Sequence, residues 1–265
     1  MSTPRPHVQS PKNPLVKQYA PARRRKAGLV YAEGERLARE ALSGCWECER
    51  LLLRTGWEEG SRAAEELLRL AGGRGCAVER LGAKAMERIS DCETAPPAGV
   101  LCRPPERLTR LPEPLPRRVL VLDSVQDPGN AGTLVRTAVA FGFHTVLAGD
   151  GVRPANEKFV RATAGVCFAE GALSALPDRQ RVRESLQAAG AVLYRLEPDE
   201  GEPIDGVAAP ADVPLALVAG NEARGPDPAE WPGAVPLRVP MREGVESLNV
   251  AASAAIVLYL FRADV

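Results

Sequence analysis

No stretch of this 265-residue chain is apolar for long enough to cross a bilayer, and Met1 is not followed by the basic-then-apolar pattern of a secretory leader. The expectation is a cytoplasmic protein with no membrane contact. Cysteine occurs six times, but only Cys45 and Cys48 stand close together, with no second pair and no His at zinc spacing. That pattern points to reduced thiols and away from a bound metal or a disulfide framework. Histidine is limited to His7 and His144, so no His-based catalytic cluster is available. Internal repeats and low-complexity tracts are missing too. Finally, there is no overall excess of charge, with 34 Lys and Arg against 34 Asp and Glu.

The balance hides an asymmetry. Up to Pro116 the chain carries 20 basic against 15 acidic residues, and from Arg117 onward 14 against 19. Arg5, Lys12, Lys17, Arg23, Arg24, Arg25 and Lys26 all precede the first acid, Glu33. Such an arm suits contact with nucleic-acid phosphates, and it also suits a plain solvated tail. As a nucleic-acid contact the arm offers Lys12, Lys17, Arg23, Arg24, Arg25 and Lys26, and the acidic second half offers no comparable run.

"RPPERLTRLPEPLPRR", Arg103 to Arg118, is rich in Pro, which lacks an amide donor and fixes φ. It divides the chain into an N-terminal domain over 1–105, a linker over 106–116 and a C-terminal domain over 117–265. In the first domain short apolar segments at Leu29 to Tyr31, Leu51 to Leu53 and Val100 to Cys102 alternate with the helical patterns "GERLAREAL" and "SRAAEELLRLAG". This reads as a small α/β domain. In the second, the runs "RVLVLDSV", "HTVLAG", "AVLYRLE", "VPLALVAGN" and "VPLRVPM" are separated by helical stretches at Ala131 to Phe141, Glu157 to Thr163 and Arg179 to Ala188. Alternation of that kind predicts a mainly parallel sheet covered on both faces, with ligands at the carboxyl ends of its strands.

Three segments carry polar, Gly-rich turns where such a ligand would sit. "DSVQDPGNAGTLVRTAVAFG" has neither a Walker Lys nor G-x-G-x-x-G. Its Pro128 and Gly129 suggest a turn and Asn130 a helix cap, after which Leu134, Val135, Ala138, Val139 and Phe141 share one helix face. Arg136 falls on the other face with Thr133, Thr137 and Ala140. In "LALVAGNEARGP", Gly220 and Gly225 allow main chain to approach a flat ligand, and Glu222 is available to accept hydrogen bonds or a cation. "VPMREGVESLNVAASAAIVLYLF" places a polar loop before a helix of small residues, Ala251 to Ala255, suited to close packing.

In order and spacing, "DPGNAGTLVRTAVAFG", "VAGNEARGP" and "VPMREGVESLNVAASAAIVLYL" resemble the three signature motifs of the SpoU/TrmH family of RNA ribose 2′-O-methyltransferases. The first half is similar to an N-terminal extension of that family, through "SPKNPLVKQYAPARRRKAGLVYAEGERLAREAL" and "AMERISDCETAPPAGVL". That extension looks like a small α/β RNA-binding domain of large-subunit ribosomal proteins. The resemblance implies a deep C-terminal trefoil knot in the parallel-sheet domain, S-adenosylmethionine (SAM) as cofactor, a homodimer and no metal. It implies ribosomal RNA as substrate, with transfer RNA, or a non-catalytic role in RNA binding or ribosome assembly, as the alternatives.

By motif, the resemblance assigns Asn130, Arg136, Glu222, Ser247 and Asn249 to catalysis. It assigns Ala219, Gly220, Asn221, Gly225, Val239, Met241, Ser247, Leu248 and Asn249 to cofactor binding. A ribose hydroxyl is a poor nucleophile until its proton leaves, and the motifs hold no His. The family's usual assignment gives the base role to Arg136, although guanidinium, which holds its proton firmly, is an awkward base. Two roles therefore stay open: Arg136 as base, or as a cationic clamp that lowers the hydroxyl pKa.

Overall fold

The computed structural model describes residues 8–210, 212–245 and 247–262. The chain divides into two compact units, one taking the chain to Pro105 together with Ala155–Arg161, the other Glu106–Pro154 and the chain from Ala162 on.

The first unit begins with helices α1 (Pro14–Tyr19) and α2 (Pro21–Lys26), each with Pro in its first turn, where no intrahelical amide donor is needed. It continues through β1 (Val30–Glu33), α3 (Glu35–Ser43), β2 (Glu47–Arg54), α4 (Arg62–Gly73), β3 (Ala77–Leu81), α5 (Ala83–Ile89) and β4 (Ala98–Arg103). The strands form a mixed sheet in the order β1-β4-β2-β3. α3 buries Leu37, Ala38, Ala41 and Leu42, the stripe that "GERLAREAL" predicts.

The basic arm, in its described part, is folded into this unit. Arg5 and His7 lie outside the described residues. Val16 and Tyr19 of α1 join the core formed with Tyr31, Leu52, Leu81 and Leu101. Arg24 departs from the expectation of an RNA contact, because its guanidinium is fully buried. It pairs with Glu157 and Asp91 and donates to the carbonyl oxygens of Tyr19, at 3.1 Å, and Ile89. Arg25, though half exposed, donates to Glu157 Oε2 at 2.9 Å and to Asp91 Oδ1 at 2.6 Å. Lys12, Lys17, Arg23 and Lys26 remain exposed.

The second unit contains β5 (Arg118–Asp123), α6 (Pro128–Ala140), β6 (His144–Ala148), β7 (Leu173–Leu176), α8 (Arg179–Ala188), β8 (Val192–Leu196), β9 (Glu202–Pro203), β10 (Leu215–Ala219), β11 (Val235–Arg238) and α9 (Val250–Leu260); α7 (Glu157–Ala162), between β6 and β7, falls mostly in the first unit. The sheet runs β7-β6-β5-β10-β8-β11-β9, and every pairing in it is parallel. This is the parallel α/β sheet that the alternation predicts. β6 and β10 are buried along their whole length, as strands covered on both faces must be.

The order places the site. β5 and β10 are hydrogen-bonded neighbours from Arg118↔Leu215 to Leu122↔Ala219, so their carboxyl ends lie side by side. The chain leaving β5 goes on to β6 on one side, while the chain leaving β10 goes on to β11 beyond β8 on the other. Connections that diverge in this way open a crevice at the strand ends.

The Pro-rich stretch, expected as a linker over 106–116, falls in the second unit, which begins at Glu106. Leu108 is buried in a short 3-10 turn, Glu106–Thr109, and Leu111 and Leu115 pack against the second unit's core beside residues such as Val119, Val182 and Trp231. The leucines at 108, 111 and 115 tie it down, because their apolar area is removed from water.

Candidate active site

β5 ends at Asp123, and the backbone turns at once through Ser124, whose φ of 58° is the left-handed conformation. The helix that follows is capped by Asp127 rather than by Asn130. The Asp127 side chain accepts from the Asn130 amide at 2.7 Å, and Pro128 opens the first turn. An Asp followed by Pro is itself a capping signal, so the sequence carried the correct reading. The consequence is chemical, since the Asn130 side chain is left free to reach across to the other two motifs.

It does so in both directions. Asn130 Nδ2 donates to Glu222 Oε1 at 3.2 Å, and Asn130 Oδ1 accepts from Asn249 Nδ2 at 3.0 Å. Glu222 also accepts from the backbone amides of Gln126 and Asp127, at 3.1 and 3.0 Å. Burial pushes the Glu222 pKa up, but these amides, its own amide and the Asn130 side chain outweigh it and hold the carboxyl below the ordinary range. Asn249 caps α9, accepting from the Ala251 amide at 2.9 Å. Three motifs far apart in sequence thus meet through Asn130, Glu222 and Asn249.

Beside them lies a cavity of about 340 Å³. Of the residues assigned to the cofactor, Gly220, Asn221, Gly225, Val239, Met241, Ser247 and Leu248 line it. Ala219 and Asn249 do not; Ala219 is the fully buried last residue of β10. Gly220 admits no side chain, since a Cβ there would stand 2.0 Å from the Pro226 nitrogen and 2.1 Å from the Gly225 carbonyl carbon. Gly225 has a φ of 67°, and its amide closes the turn on the Asn221 carbonyl at 2.8 Å.

Sequence reasoning missed Leu196, Glu197 and Pro198, which line the cavity from the end of β8, and Ala223, Arg224, Val250 and Ser253. β8 neighbours β10 in the sheet, and the carboxyl-end rule would have found its loop had the strand order been known.

Arg136 is exposed on α6, on the face opposite buried Leu134, Val135 and Ala138. Among the described residues its side chain has no hydrogen bond or ion pair, and it is not part of the cavity wall. α6 packs on α9, with the Phe141 and Tyr259 rings edge-on at 5.7 Å. α9 leaves Ile256, Tyr259 and Leu260 exposed at 40%, 52% and 46%.

These features define an α/β protein with a small-molecule cavity at the carboxyl ends of its parallel strands and a polar cluster of motif residues beside it. The chain belongs to the SpoU rRNA Methylase family, whose model matches residues 117–259. It is 32% identical over 265 aligned residues to the 23S rRNA (guanosine(2553)-2′-O)-methyltransferase RlmP of Bacillus subtilis (strain 168), covering 96% of this chain and 98% of that one. It is 29% identical over 245 residues to the 23S rRNA (uridine(2479)-2′-O)-methyltransferase of Streptomyces viridochromogenes, covering 89% and 83%. Among solved structures, the AdoMet-bound rRNA methyltransferase from Sinorhizobium meliloti superposes with a TM-score of 0.81 at 26% identity, over 97% of each chain.

Proposed function

We propose that this chain transfers a methyl group from SAM to a ribose 2′-hydroxyl of large-subunit ribosomal RNA. The observation that carries the reading is the meeting of Asn130, Glu222 and Asn249 beside a cavity built from the second and third of the same motifs. The relatives named as 23S rRNA 2′-O-methyltransferases favour ribosomal over transfer RNA, and the intact polar cluster argues against a non-catalytic protein.

The cavity fits SAM by size, since small-molecule pockets begin at about 300 Å³. The turn itself shapes the wall, because the absence of a side chain at Gly220 lets the main chain of Gly225 and Pro226 fold back against it, and peptide groups held in that way can lie against a flat adenine. Backbone around Ala219, Gly220, Val239, Met241 and Leu248 would hold the adenosine part, with Asn221, Gly225 and Ser247 completing the wall. When bound, SAM supplies an electrophilic methyl on a sulfonium. Asn130, oriented by Glu222 and Asn249, fixes the entry of α6, and α6 presents Arg136. The exposed Arg136 side chain meets the ribose, where its guanidinium stabilises the developing alkoxide as a cation or, after giving up a proton, the neutral guanidine takes the hydroxyl proton as a base. Holding the oxygen in line with the methyl supplies much of the rate.

The same reading makes the chain a homodimer through the apolar face of α9, a cytoplasmic protein, and one whose C-terminal segment is knotted. Supporting the knot, Val239, Met241, Ser247 and Leu248 line the same cavity as Gly220 and Gly225. RNA contact falls to the first unit through Lys12, Lys17, Arg23 and Lys26.

Mass mapping of ribose methylation in 23S rRNA from cells with and without the protein tests the proposal. One 2′-O-methyl group should vanish, and purified protein should restore it with SAM in the presence of EDTA. Unchanged 23S rRNA, or a mark lost from transfer RNA instead, overturns it.

A further inference from the structure

Asp123 is the last residue of β5 and is almost wholly buried. Its Oδ1 accepts from Arg179 Nε at 2.6 Å and its Oδ2 from the Trp231 indole at 2.7 Å, so both carboxylate oxygens are engaged by groups from separate elements. A carboxylate removed from water is stable only when so matched. The next residue is Ser124, in the left-handed conformation that side chains rarely adopt. Its hydroxyl donates to Asp123 Oδ1 at 3.2 Å and accepts from Arg179 Nη2 at 2.5 Å and from the Asp150 amide at 3.2 Å. Gly149 leaves the room this needs, since a Cβ there would stand 2.3 Å from Ser124 Oγ and 2.5 Å from Arg179 Nη2.

The backbone of Ser124 faces the second-motif loop. Its carbonyl accepts from Asn221 Nδ2 at 3.3 Å, and two residues on, the Gln126 and Asp127 amides bind Glu222. A buried cluster thus grips the strained residue by its side chain, while the main chain of the same turn binds the second-motif loop.

We propose that Asp123, Arg179 and Ser124 are positioning residues for methyl transfer: they hold the turn after β5 in the geometry that aligns Asn130 and α6 with the cofactor loop. This rests on the methyltransferase reading above. None of the three lines the cavity, so their effect reaches the reaction through the turn.

The test uses the full-length protein, SAM and transcribed 23S rRNA, with the variants Ser124→Ala and Asp123→Asn. Ser124→Ala removes only the hydroxyl that joins the turn to Arg179 and Asp150. SAM affinity by calorimetry and KM for RNA should stay at parent values, while kcat falls about 10- to 100-fold, the scale of a small misplacement of reacting groups. The Gln126 and Asp127 amides should exchange hydrogen faster than in the parent, a readout that needs no RNA. If Asp123→Asn does not fold, Ser124→Ala decides alone. A purely structural role lowers the melting temperature of Ser124→Ala but leaves kcat per SAM-binding site and the two exchange rates unchanged, and that outcome overturns the proposal. A parent protein that methylates no RNA refutes the functional reading instead, leaving amide exchange to judge the positioning.

Discussion

Replacing Glu222 by Gln tests whether its carboxylate joins the first two motifs. The parent side chain accepts from two backbone amides and from Asn130, between 3.0 and 3.2 Å. Gln keeps the shape but turns one oxygen into an NH₂ group, which faces at least one of those donors. A hydrogen bond to a charged acceptor contributes about 1.5–3 kcal/mol, and the exposure of Glu222 favours the lower half, so about 2 kcal/mol should be lost at pH 7. For a chain of this size that is a fall of about 4–8 °C in melting temperature. The sign with pH follows from the carboxyl being held below its ordinary range in the folded protein. Its contribution is fully present above the unfolded value, about 4.3, and is lost as pH falls through the lower folded value. Scanning calorimetry of parent and variant should therefore show a constant gap from pH 8 to 5 that narrows below about pH 4. Methylation should fall as Asn130 loses its anchor. Equal melting temperatures at pH 7, or a gap that persists unchanged in acid, would refute the role given to Glu222.

Three further outcomes are expected. Arg136→Ala should fold, bind SAM and lose methylation by several orders of magnitude, because the side chain is exposed and without a partner among the described residues; in Arg136→Lys, activity rising with pH would favour a base and near-complete loss a planar clamp. Gly220→Ala forces a Cβ against backbone at 2.0 Å, so calorimetry should show SAM binding abolished and stability lowered by about 1–3 kcal/mol, as overpacking costs. Charge removal at Lys12, Lys17, Arg23 and Lys26 should flatten the plot of log RNA affinity against log salt by about 0.7 to 0.9 per lost phosphate contact, whereas the same change at Arg24 should unfold the first unit rather than alter the slope.

Much of this was legible in sequence because it depends on local periodicity. The centres of runs such as "RVLVLDSV" and "VPLALVAGN", Val119 to Leu122 and Leu215 to Ala219, are continuously apolar, as suits a strand covered on both faces, and the intervening helices show their stripes. The glycines of "VAGNEARGP" announce a close main-chain approach through their own chemistry. The charge asymmetry and the three-motif spacing are likewise properties of the string of residues. Where local reasoning erred, it weighed one residue without its neighbours. Asn130 taken alone suits a cap, whereas Asp127 and Pro128 together form the stronger signal.

Other features were decided only in three dimensions. A basic residue in an arm looks the same whether it meets solvent or carboxylates, and Arg24 differs from Lys17 only because Asp91 and Glu157, remote in sequence, fold against it. The strand order β5-β10-β8 brings the Leu196 to Pro198 segment to the cavity although nothing in its composition marks it. The hydrogen bonds from Asn249 to Asn130 and on to Glu222 span 119 and 92 residues of chain. Sequence by itself determined which segments become strands, helices and turns, since those follow from the period of apolar residues and from Gly and Pro backbone preferences. Tertiary structure alone decided which side chains meet, because a contact between distant residues depends on sheet order and helix packing, and no local preference encodes either.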